Sequence, residues 1–213
     1  MILFAGARGP FLTMPEASVL TVENDPVGVE TALATGRYAC PECGDRLARW
    51  GFARTRKLRL AAGVEVWLSP RRARCRGCGV TQVLLADVAL GRRQDGVEVI
   101  GSALVAAAAG VGSRRIAERL GLARSTVRGW LARFRGRASM VVEFFCRWAL
   151  VLEPGGAVVM PSGDGLVDAV AAVGMATRAA VMVGAAPSPW RAAAVVTRGA
   201  LLATRVRPWL TPA

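Results

Sequence analysis

Three observations predict an α+β chain. Cys40-Pro-Glu-Cys43 and Cys75-Arg-Gly-Cys78 are two copies of one knuckle, each followed at once by a glycine, Gly44 and Gly79. The segment between them reads as short strands, and the segment after them has helical periodicity broken by glycine turns. Together they predict an N-terminal four-cysteine zinc ribbon, then a three-helix helix-turn-helix domain and a C-terminal helical segment. The expected divisions are residues 1–36 packing on the ribbon, 37–90 the ribbon itself, 91–138 the helix-turn-helix domain and 139–213 a helical region.

The first segment holds an alternating Val19-Leu20-Thr21-Val22, then Asn24-Asp25-Pro26 and a short helix over 27–35 that ends at Gly36. Packing against the ribbon is its expected role, because a ribbon alone has too little core and depends on metal and neighbouring contacts.

In a Cys-x-x-Cys-Gly turn the backbone amides point at the sulfurs, and glycine lets the chain curl round a metal about 2.3 Å from each thiolate. With no histidine in the chain, Cys40, Cys43, Cys75 and Cys78 are the expected ligands of a closed structural Zn2+ site. Strands are expected over 46–52, 56–60, 64–68 and 71–74, with a turn at Ala61-Ala62-Gly63. The competing readings are a disulfide pair or a redox motif. Disulfides need an oxidising compartment, whereas the N-terminus lacks a signal peptide's charged start, apolar core and cleavage site. A redox motif would occur once, near a βαβ pattern. Cys146, the fifth cysteine, sits in an apolar run and reads as a core thiol.

The formal charge of +13 is concentrated in the middle of the chain. Residues 37–137 carry 21 Lys+Arg against seven acids, and twenty of those cations are Arg. Arg is the planar donor best suited to phosphates and guanine edges, so a polyanion is the expected partner. A high-GC genome that writes Arg on any solvated face is the bland alternative, so charge alone suggests nucleic acid without establishing it.

After Gly91-Arg92-Arg93-Gln94, Asp95 is expected to cap an Ala-rich helix over 97–109, ended by Gly110-Val111-Gly112. Ser113 is expected to cap the next helix, 114–120, with Ile116, Ala117 and Leu120 inward; Gly121 makes the turn. The third helix, 124–135, turns Val127, Trp130, Leu131 and Phe134 inward. Two helices joined by a Gly-containing turn, with polar and Arg residues at the exposed start of the second, form the helix-turn-helix pattern. Arg124, Ser125 and Arg128 are therefore expected to face the major groove, with Thr126 on backbone or phosphate. Arg114, Arg115, Arg133, Arg135 and Arg137 are expected to hold phosphates. Ala123 stands where a capping Ser or Asn is usual, and Gly129 mid-helix is tolerable where a phosphate backbone passes close. An ordinary three-helix bundle with a solvated outer face is the competing reading.

Three more helices are expected over 139–152, 165–183 and 189–204. Phe144, Phe145, Trp148, Leu150 and Leu152 make the first unusually apolar, so the other two helices or a second subunit must cover it; a homodimer is one expectation. The apolar stretch 166–186 is interrupted by Asp168 and Arg178 and reads as a buried helix instead of a membrane span.

The order Cys40-Pro-Glu-Cys43-Gly44, Trp50-Gly51, Arg71-Arg72-Ala73-Arg74-Cys75-Arg76-Gly77-Cys78-Gly79-Val80-Thr81, Arg114-Arg115-Ile116-Ala117 and Ser125-Thr126-Val127-Arg128-Gly129-Trp130-Leu131 resembles an actinobacterial family that joins a zinc ribbon to a helix-turn-helix. More distantly, it is similar to the N-terminal DNA-binding module of insertion-sequence transposases. The resemblance covers roughly residues 25–140 and implies DNA-end binding by ribbon and helix-turn-helix together. Such transposases continue into a large catalytic domain with an acidic triad. The 76 residues after Arg137, with Glu143, Glu153, Asp164 and Asp168 as their carboxylates, are too few for it. No imidazole base is present and the four thiolates saturate a zinc ion. The expectation is a non-enzymatic, zinc-dependent protein that binds double-stranded DNA, regulator-like or transposase-derived, cytoplasmic and nucleoid-associated. An RNA-binding or ribosome-associated zinc-ribbon protein is the alternative; it would need aromatic stacking platforms, and the basic segment offers few aromatics besides Trp50, Phe52 and Trp67.

Overall fold

The computed structural model describes residues 18–156, 159–182 and 188–203. Six strands come first: β1 (Ser18–Val22), β2 (Leu47–Phe52), β3 (Arg56–Arg59), β4 (Glu65–Leu68), β5 (Arg71–Cys75) and β6 (Thr81–Ala86). Helix α1 (Pro26–Ala34) follows β1. Six helices then follow: α2 (Val97–Ala108), α3 (Ser113–Leu120), α4 (Arg124–Arg135), α5 (Ala138–Leu152), α6 (Gly165–Met182) and α7 (Pro189–Val196).

β2 to β5 form one long irregular hairpin. β2 pairs antiparallel with β5, β3 with β4, and Thr55 and Ser69 join hydroxyls at 2.8 Å between the two ladders. The wider sheet runs in the order β1-β6-β5-β2, with β1 parallel to β6. Strand β6 was not expected from the sequence. It lies between β1 and β5, and its residues 84–86 are buried in succession, so it lacks the alternation that marks a half-exposed strand. The N-terminal segment thus supplies an edge strand as well as a covering helix. Asp25 caps α1 by accepting from the Val27 amide at 3.0 Å, and Val29 and Leu33 pack on Leu47, Ala73 and Leu84.

The helices share one apolar cluster. It includes Ile100 and Leu104 of α2, Ile116 of α3, Val127, Trp130, Leu131 and Phe134 of α4, Phe144 and Phe145 of α5, Ala169 to Ala176 of α6, Ala193 of α7, and Leu201 and Leu202. It crosses residue 138 without interruption. The apolar face of α5 that motivated a homodimer is largely used inside the chain: α5 packs on α6, and Phe144, Phe145 and Ala149 are buried. Homodimerisation therefore has no support here. Gly101 leaves room for Trp190, whose ring atoms lie 2.3 Å from where a Cβ would stand. Helix α6 begins at a capping Asp164, whose carboxylate accepts from the Leu166 amide at 2.7 Å. Among the described residues no helix is long and apolar enough to cross a membrane.

Three local expectations are corrected. Asp95 is no helix cap: α2 starts on Gly96 without a side-chain cap, and Asp95 is buried against Arg59 at 2.5 Å. A paired, buried carboxylate is better satisfied there than at a solvated helix end. Ser113 is the first helical residue instead of the cap, which falls on Gly112. Helix α7 stops at Val196, because Arg198 and Gly199 take positive φ (50° and 69°) and turn the chain back. Val183 and Thr204, the expected ends of the last two helices, lie outside the described residues.

Candidate metal centre and nucleic-acid interface

The two knuckles fold alike. The Cys40 amide donates to Asp45 O at 2.7 Å, and the Cys75 amide donates to Val80 O at 2.9 Å, five residues ahead in each case. Gly44 and Gly79 both take the left-handed backbone, with φ of 78° and 72°, a conformation that glycine adopts without a Cβ penalty. The turns bring all four ligand sulfurs within 4.8 Å of one another. Across the knuckles, Cys40 Sγ lies 3.7 Å from Cys78 Sγ and Cys43 Sγ lies 3.4 Å from Cys75 Sγ.

A tetrahedron with metal–sulfur bonds near 2.3 Å has sulfur–sulfur edges of about 3.8 Å, so the cluster has nearly the dimensions of a four-thiolate site. The separations are far beyond a disulfide bond of about 2.05 Å, and all five cysteines are free. Cys40 and Cys75 are buried beneath α1, whereas Cys43 and Cys78 are exposed. Burial pushes the Cys40 thiol up to about 12. At Cys75 burial acts in the same sense, but the Cys78 amide and the Cys43 thiol offset it and bring the group down to about 7. Four soft, converging donors with no fifth residue among them can hold a metal ion structurally. Cys146, expected to be a buried core thiol, lies apart and is only half-buried against the helical core.

Helices α3 and α4 meet at Gly121, left-handed at φ 62°. The inward stripe of α4 is buried as its spacing predicts, which leaves Arg124, Ser125 and Arg128 exposed at its start and Thr126 half-buried. No side chain caps α4 at Ala123, so its first amides point outward unclaimed by a cap. Arg115 is exposed, and so is Arg114, which pairs with Glu118 one turn on at 2.9 Å.

Two further arginines have partners inside the chain. Arg133 folds back along its own helix and donates to Gly129 O at 2.9 Å; a Cβ on residue 129 would stand 2.8 Å from its Nη1. A side chain at residue 129 would displace the end of this arginine, a flexible group that can shift. Arg137 is no phosphate ligand: it is buried, and its Nη1 reaches Ala200 O at 2.6 Å and Ala203 O at 2.8 Å. Its position at the start of α5, facing the returning chain after α7, is what takes it inside.

Residues 100–140, from within α2 to the start of α5, match a homeodomain-like domain. No curated protein and no solved structure matches the chain. A helix-turn-helix of this kind points to DNA binding, with α4 in the position of the recognition helix.

Proposed function

We propose that this protein is a non-catalytic, sequence-specific binder of double-stranded DNA in which a zinc ion fixes the ribbon and α4 reads the major groove. The observation that carries this reading is the exposed Arg124–Ser125–Arg128 surface at the start of α4, inside a segment matching a homeodomain-like domain. Zinc is the metal we assign to the cysteine cluster, because a closed tetrathiolate site suits a d10 ion without redox chemistry and leaves no open position for a reacting water. Three of the four carboxylates after Arg137 have partners within the chain: Glu143 pairs with Arg147, Asp164 caps α6, and Asp168 accepts from the Ser162 amide. A role as a transcription regulator or as a transposase-derived DNA-end binder, acting at the nucleoid, belongs to the same reading.

The test is selection of bound duplexes from a random pool, with metal measured in the same preparation. Enrichment of one motif, about one zinc per chain and a steep loss of affinity with salt are expected. Retention of all duplexes alike would defeat sequence-specific reading.

A further inference from the structure

Among the described residues the exposed aromatic side chains are Trp50, Phe52 and Trp67, at 52, 61 and 70% exposure, and all three sit on the single hairpin from β2 to β5. The other described aromatics, Tyr38, Trp130, Phe134, Phe144, Phe145, Trp148 and Trp190, are buried or half-buried. Each exposed ring has a cation beside it. Arg74 lies 4.8 Å from the Trp50 ring, Arg71 lies 4.4 Å from Phe52, and Lys57 lies 5.6 Å from Trp67.

The pairing register arranges two of these units in a row. Phe52 is opposite Arg71, Thr55 bonds Ser69, and Lys57 is opposite Trp67. Residues 69 and 70 join the two ladders outside the strands, and the register steps by one residue between them. Four residues at about 3.3 Å each separate the two ring–cation units by about 13 Å. That length spans several nucleotides at about 3.4 Å each. Trp50 occupies the bulge where the β2–β5 register slips, which turns it out beside Arg74. Residues 47–75 carry eight Arg and Lys against one acid, Glu65; of these, Arg49 and Arg71 pair with Glu30, Lys57 with Glu65 and Arg59 with Asp95.

We infer that this hairpin binds unpaired bases of a single-stranded polynucleotide, stacking them on Phe52 and Trp67, with Trp50 at one end and the exposed Arg54 and Arg74 on the phosphates. Flat, exposed rings find no vacant base face along a closed duplex, whereas every unpaired base offers one. The exposed Arg54 and Arg74 favour a polyanion over a neutral protein surface. The site is separate from α4, so the chain has one surface for paired and another for unpaired nucleic acid.

Fluorescence anisotropy of the whole, zinc-loaded protein with labelled oligodeoxythymidylate and oligouridylate of about 12 nucleotides, within the usual site sizes, tests this. Trp67→Ala and Phe52→Ala should each weaken single-strand binding about 5- to 100-fold and leave duplex affinity unchanged, and Trp67→Tyr should restore most of it. Stronger retention of one oligomer over the other assigns the site to DNA or RNA. Arg128→Ala should leave single-strand binding untouched. Absence of saturable binding to either oligomer, or equal loss of duplex binding in the ring variants, overturns the inference. Loss of duplex reading alone would defeat the major-groove proposal and leave this one standing.

Discussion

Arg137 and Ala200, 63 residues apart, meet at 2.6 Å, guanidinium nitrogen to backbone oxygen. The same nitrogen reaches Ala203 O at 2.8 Å, and Arg93 donates to Leu202 O at 3.0 Å. Two arginines therefore collect the carbonyls of the chain returning from α7, and burial lowers the pKa of both. Arg137→Met should cost about 2–4 kcal/mol, because buried carbonyls lose their donor. The exposed Arg135→Ala should cost under about 0.5 kcal/mol. Urea unfolding of the two variants distinguishes an internal clamp from a phosphate ligand.

Arg191 of α7 grips Asp87 with two bonds, 2.8 and 2.7 Å, across a separation of 104 residues. The carboxylate is almost wholly buried and the guanidinium partly exposed. Asp87→Ala should destabilise by about 2–4 kcal/mol, since it strands the arginine. An Asp87→Ala/Arg191→Met double variant as stable as the wild type would show that the pair itself contributes nothing.

Reading of the major groove predicts a contrast between two arginines. Arg128→Ala should cost about 1–3 kcal/mol on the selected duplex and relax its sequence preference, whereas Arg115→Ala should weaken all duplexes alike and lower the salt slope by about one. Titrations of selected and scrambled duplexes at several salt concentrations measure both. Equal effects of the two changes on every duplex would contradict the assignment of α4.

Removal of metal should change how stability depends on pH. An ordinary thiol titrates at 9.0; Cys40 is raised to about 12 and Cys75 lowered to about 7. Cys40 contributes stability below pH 9 that is lost as pH rises toward 12, and Cys75 contributes stability above 9 that is lost as pH falls through 7. Chelated, reduced protein should therefore be most stable near pH 9, whereas metal-loaded protein should weaken on acidification as protons displace the ion. Denaturation midpoints across about pH 6 to 11, with and without chelator, would show the two profiles. Cys75→Ser should lose the metal and much of the ribbon's stability.

The legible parts of the fold were those with local causes. The bounds of α4 follow from the stripe Val127, Leu131 and Phe134, and both knuckles follow from a glycine placed where the backbone must turn left-handed. Strand β6 escaped because its apolar run has no period to read. Asp95, Arg137 and Arg191 escaped for another reason: a charged residue looks solvated until the chain returns its partner from far away. The exposed arginines at the start of α4 were legible because no distant group among the described residues claims them. The aromatic surface was visible as three rings in a basic segment, but only the register shows which cation stands across from Phe52 and from Trp67.

Asp87 and Asp95 flank the connection between sheet and helices, and each is seized by an arginine from the opposite part: Arg191 from α7 and Arg59 from β3. Such crossed ties should couple the melting of the sulfur-rich half to that of the helical half. Stripping the ion should then be felt at α4, more than a domain's breadth along the sequence, as a lowered melting temperature and not as a separate early transition.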